Sequence, residues 1–138
     1  MENNNQLIKA LDLINEEDYT AAKALLEEYL KHNENDIEAL KNLGLCEVNL
    51  DNPTGAIEIF SKVIEKDEAD AVSIFYLASC KARIGEKEEA IKYFEKVLEL
   101  RPDYLEVYKS LAMIYVEFAQ FESAIELLLK ALQNPSLT

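Results

Sequence analysis

Gly85-Glu86-Lys87-Glu88-Glu89-Ala90-Ile91-Lys92-Tyr93-Phe94-Glu95-Lys96-Val97-Leu98-Glu99-Leu100-Arg101-Pro102 is the stretch that decides the fold. A glycine opens it, strong helix formers fill it, and a proline stops it. Ala90, Phe94 and Val97 recur at the i, i+4, i+7 spacing of one helix face. Stepping 34 residues in either direction finds the same pattern again. Ala22, Ala56, Ala90 and Ala124 form one column; Leu26, Phe60, Phe94 and Leu128 form the next; Tyr29, Val63, Val97 and Ala131 form a third. Upstream of the glycine, Ala10, Gly44, Ala78 and Ala112 keep the same step, as do Leu43, Leu77 and Leu111. The frame divides a single domain, 1–138, into four ungapped units: 3–36, 37–70, 71–104 and 105–138.

Each unit holds two helical patterns. In the second, Asp36 is placed to cap a helix carrying Ile37, Leu40, Leu43 and Gly44. Asn52 then caps a second helix with Pro53 in its first turn, where the missing N–H costs nothing, and Ala56, Ile57, Phe60, Val63 and Ile64 as its buried stripe. The small residues mark where the two helices of a unit cross, because a small side chain lets the axes approach to ~8–10 Å. The large residue one turn later fills the space beside that contact. Neither pair can bury its apolar face alone, so the units must stack.

Composition agrees and narrows the function. Gly and Pro are scarce, three of each, which leaves little turn material for an all-β fold. The net charge is −13, from 27 acidic and 14 basic residues. Such a surface repels phosphate backbones and anionic bilayers, so neither nucleic acid nor membrane is expected as a partner. No apolar run approaches the ~20 residues of a membrane span. The polar start, Met1-Glu2-Asn3-Asn4-Asn5, has no secretory-signal pattern, and two cysteines without framework spacing fit a reducing compartment; cytoplasm is the expectation. Asn52 and Asn134 are followed by proline and are not glycosylation acceptors.

With these columns in place the chain resembles the tetratricopeptide repeat (TPR) family. The third unit follows the family pattern most closely, through Ile74, Leu77-Ala78, Gly85, Ala90, Phe94, Val97 and Pro102. The first departs from it: Gln6 and Lys9 stand where the others place large apolar residues, and Asp12 where Cys46 and Cys80 fall. A first helix with no preceding unit to cover it should be polar there. The resemblance implies an all-α, right-handed superhelical solenoid of antiparallel helix pairs, four units and eight helices. It also implies a concave surface, lined by first helices, that binds peptides or helices of other proteins.

Laid on that frame, the groove-facing candidates are Leu11 in the first unit; Lys41, Asn42, Leu45, Val48 and Asn49 in the second; Phe75, Tyr76, Ser79 and Arg83 in the third; and Lys109, Met113 and Val116 in the fourth. Leu11, Leu45, Phe75 and Met113 suggest an apolar stripe, an interaction signature when exposed. Lys41, Asn42, Asn49, Arg83 and Lys109 would fix orientation. A TPR subclass grips the terminal carboxylate of chaperone peptides with a Lys/Asn/Arg clamp. The matching positions here retain only Asn42 in one three-unit frame and only Lys41 in the other, so that role is not expected.

Catalytic and metal chemistry find no foothold. Cys46 and Cys80 occupy equivalent places in adjacent first helices, ~8–10 Å apart, too far for a disulfide and suited to buried small thiols. His32, the only histidine, lies near a helix end, where a cation suits the dipole. The acidic clusters at 16–18, 67–70 and 86–89 lack the glycine-centred loop of a calcium site and read as capping and solvation. No enzyme activity, cofactor or metal is expected.

The last unit is unusual. Its second helix carries Ile125, Leu128, Leu129 and Leu132, and Leu129 stands where Glu27, Ser61 and Glu95 stand elsewhere. Something should cover that face: further repeats of a longer array, a second copy in a homodimer, or the tail from Gln133 to Thr138. The leading functional expectation is a scaffold that binds a basic or apolar peptide or helix in its groove. The alternatives are a small acidic secretion-type chaperone that shields an apolar client, and the TPR arm of a larger protein.

Overall fold

The computed structural model describes residues 2–135, with side chains from Asn4 onward. The outermost ends of the expected domain, and the last three residues of the expected covering tail, lie outside it. Eight α-helices follow one another: α1 (Glu2–Asn15), α2 (Tyr19–His32), α3 (Ile37–Asn49), α4 (Pro53–Lys66), α5 (Ala71–Arg83), α6 (Lys87–Leu100), α7 (Leu105–Glu117) and α8 (Phe121–Leu132). No strand occurs among the described residues. The fold is the expected all-α solenoid of antiparallel helix pairs.

Helix starts follow the polar residues that precede them. Asp18, Asp36, Asn52 and Asp70 each accept a hydrogen bond from a backbone N–H three residues on, and so cap α2, α3, α4 and α5. Glu86, Tyr104 and Gln120 open α6, α7 and α8 without a side-chain cap.

The turn inside each unit is the same device used four times. Glu17, Asp51, Gly85 and Ala119, spaced by the repeat, have positive φ of 62°, 59°, 92° and 57°. The next residue's N–H then reaches back to a carbonyl five residues earlier, as from Asn52 to Glu47 and from Glu86 to Lys81, and satisfies an orphan helix-end acceptor. Only the third unit places glycine there, where the left-handed conformation carries no Cβ penalty.

The core lies along the stack in three clusters, around Leu26, Phe60 and Phe94. Leu26, Phe60 and Phe94 are buried, as are Ala22, Ala56 and Ala90 beside them. The expected close crossing is present: a Cβ built on Gly44 would lie 2.6 Å from the Phe60 ring. Phe60 in turn stacks on Tyr76, with centroids 5.4 Å apart. Phe75 lies 5.0 Å from Tyr104 and 6.0 Å from Phe94, so aromatic contacts tie α5 and α6 to the start of α7.

Candidate functional site

The candidate surface is the set of side chains that α1, α3, α5 and α7 turn away from their partner helices. Met113 (65% exposed) and Val116 (52%) are the most open of the expected apolar groups, and Leu11 is exposed at the other end. Leu45 and Val48 are half-buried, Val48 against the cluster around Phe60. Phe75 and Tyr76 are half-buried through the aromatic contacts above. The expected stripe is therefore discontinuous, open at Leu11 and Met113 and partly built into the core between them.

Ser79, Arg83 and Met113 come together around one cleft of about 310 Å³ between α5, the start of α6 and α7. Its floor is apolar, made by Ala82, Phe94 and Ile114, and its rim carries Lys87, Ser110 and Glu117. The Ser79 hydroxyl donates to the Phe75 carbonyl at 2.9 Å, within its own helix. A wider hollow of about 530 Å³ lies among α4, α5 and α6, with Glu68, Glu89, Lys92 and Lys96 on its walls. None of the sequence-derived candidates lines it.

Most of the orienting polar groups already have partners. Lys41 Nζ lies 2.8 Å from Asp70, which caps α5 at the junction with the next unit. Burial pushes the Asp70 carboxyl up, but the Lys41 ammonium and the Ser73 backbone N–H outweigh it and hold the group below its ordinary value. Lys41 is raised by the same bond. Arg83 pairs with Asp51, and Lys87 with Glu117, both between adjacent units. Asn42 and Asn49 donate to the Glu38 and Leu45 carbonyls one turn back, at 2.9 and 2.8 Å. Lys109 has no carboxylate partner among the described residues.

Three features escaped the sequence reading. Ile8, in the same column as Asn42 and Tyr76, is 56% exposed and extends the surface along α1; its column was the available signal. The ion pairs Lys41–Asp70, Arg83–Asp51 and Lys87–Glu117, which lie at unit junctions, join opposite charges 29 to 32 residues apart, slightly less than one repeat, and a search at that offset finds them. Glu47 is buried with Lys23 Nζ at 2.7 Å and also accepts from the Asn52 amide, tying α2, α3 and the cap of α4 together. Nothing in its column (Leu13, Lys81, Tyr115) announces this.

Both cysteines are free and buried, and desolvation pushes the Cys46 thiol up to about 11, far from a reactive thiolate. His32 is exposed in the last turn of α2. No group of three or more His, Cys, Asp or Glu placed to hold a metal occurs among the described residues, nor any helix long and apolar enough to cross a membrane. On the far side of the fourth unit, Phe121, Ile125, Leu128, Leu129 and Leu132 of α8 are between 45% and 69% exposed.

Comparison with known proteins places this geometry. No curated protein matches the chain in sequence. The crystal structure of MamA protein is similar at 25% identity, with a TM-score of 0.88 over 94% of this chain and 70% of that one. MamA 41-end from Desulfovibrio magneticus RS-1 reaches a TM-score of 0.90 at 20% identity, over 95% and 74% of the two chains, a likeness of fold alone. YrrB, described as a TPR protein with an unusual peptide-binding site, matches at 26% identity with a TM-score of 0.81, over 88% of this chain and 63% of that one. Two profiles described as tetratricopeptide repeat match residues 13–79 and 70–134. The 34-residue columns, the eight paired helices and these matches agree: the chain belongs to the tetratricopeptide repeat family.

Proposed function

We propose that this chain is a non-catalytic interaction module that holds a segment of another protein along the inner faces of α3, α5 and α7. The observation that carries the reading is the cleft between α5 and α7, where an apolar floor meets polar groups from three helices. An apolar side chain of the partner would seat over Phe94 and Ile114, beside Met113. Lys41 and Arg83 are neutralised by Asp70 and Asp51, so the surface offers little to an acidic terminus. The net charge of −13 favours a segment that is apolar at its anchor and basic around it. The buried free thiols support a reducing, cytoplasmic setting.

Met113→Glu tests this better than a change at Phe75, whose loss would also disturb the junction between the third and fourth units. A partner captured from cell extract and then titrated as a purified protein should bind this variant at least about tenfold more weakly. Unchanged affinity in a folded variant would remove the cleft from the reading.

A further inference from the structure

The exposed face of α8 fits a second copy of this chain, and we infer that two copies pair there about a two-fold axis, α8 against α8. Phe121, Ile125, Leu128 and Leu132 are spaced 4, 3 and 4 residues apart, the seam of a two-helix coiled coil. The seam carries no charge, although 27 of the 138 residues are acidic. Taking roughly 200 Å² for a large apolar residue, the exposed parts of these four and Leu129 come to about 560 Å². Two copies would then cover about 1,100 Å², above the roughly 1,000 Å² a specific interface must clear and at the weak end of stable dimers.

Leu129 distinguishes this occupant from an ordinary further repeat. Glu27, Ser61 and Glu95 hold the same position in units that already have a neighbour stacked on them, and Glu27 and Glu95 remain exposed there. A next unit of the same kind would leave that column in water. An apolar residue there needs a cover that reaches further around the helix, as a helix packed directly along α8 does. Head-to-tail stacking of copies is disfavoured, because it would lay the α8 face on a first helix that exposes Lys9 and Asp12. A closed two-fold pair avoids that mismatch.

Sedimentation equilibrium of the full chain from 1 to 300 µM should fit a monomer–dimer equilibrium. Leu129→Glu should raise the dissociation constant at least about 30-fold and leave the thermal unfolding of the dilute monomer unchanged. Leu128→Cys should cross-link to its own copy under mild oxidation, while Glu106→Cys on the groove side should not. A chain that stays monomeric at 300 µM overturns the inference. So does a dimer that survives Leu129→Glu and is lost with Met113→Glu, which would place self-association in the groove. Because the two faces lie apart, Leu129→Glu should leave the partner affinity of the groove untouched.

Discussion

Phe94 and Leu128 hold the same place in successive units, one turn after a buried alanine, yet Phe94 is 1% exposed and Leu128 is 45% exposed. Their own helix pairs are alike. The difference lies in what stands on the other side: Phe94 faces α7, whereas no helix among the described residues packs on the far side of α8. Ile64 and Leu98 are likewise partly buried between units, while Leu132, in the same column, is 69% exposed. Burial in this molecule belongs to junctions between units more than to units, the expected behaviour of a stack whose stability is a sum of nearest-neighbour terms.

That comparison makes its largest test a pair of truncations. Phe94→Ala empties a site between α5, α6 and α7 and should cost about 3–5 kcal/mol of unfolding free energy. Leu128→Ala, measured by urea unfolding at a concentration where the chain is monomeric, should cost only about 1–2 kcal/mol, because nearly half of its surface is already hydrated. Equal costs would mean that α8 is covered within the monomer, and the contrast between the two ends of the stack would fail.

The fold was legible because helix period, caps and small-residue crossings all repeat, and each repetition supports the others. Ala56 and Phe60 could be placed without knowing what surrounds them. The surface was less legible because exposure depends on neighbours 30 residues away. Phe75 reads as a groove anchor until Tyr104 and Phe94 are seen against it. Lys41 reads as a free cation until Asp70, at the cap of α5, is seen beside it. Glu47 shows the limit most sharply: one polar residue in a mixed column becomes buried because Lys23 and Asn52 converge on it.

A middle-sized effect is expected where a unit junction is held by charge. Asp70 caps α5 and pairs with Lys41, while Tyr104, its counterpart one unit on, provides no side-chain cap. Asp70→Ala should cost about 1–2 kcal/mol. Asp70→Asn should keep most of the cap and cost less. The folded Asp70 carboxyl lies below its ordinary value of 3.8, so its contribution is complete above that pH and fades as the pH falls through the folded value. Wild type and Asp70→Asn should therefore differ in urea midpoint at pH 7 and converge below pH 3.8. A difference that persists unchanged in acid would show that the charge of Asp70 is not what holds the junction.

The smallest effect sharpens the comparison within the turns. Gly85 and Ala119 both sit in the left-handed region, at φ 92° and 57°. Only glycine adopts that conformation without a Cβ penalty, so the third unit closes its turn unstrained and the fourth does not. A Cβ on Gly85 would meet nothing within 4 Å, which makes Gly85→Ala a measure of backbone strain alone. It should lower stability by about 1 kcal/mol, and Ala119→Gly should raise it by somewhat less, because glycine's greater freedom in the unfolded chain offsets part of the relief. If local strain at the turn governs both changes, the two shifts are opposite in sign. If Ala119→Gly instead destabilises, the last turn frays before the rest of the chain unfolds. Hydrogen exchange should then show the amides of α8 opening at a lower free energy than those of α5 and α6, so that the fourth unit differs from the third in cooperativity as well as in exposure.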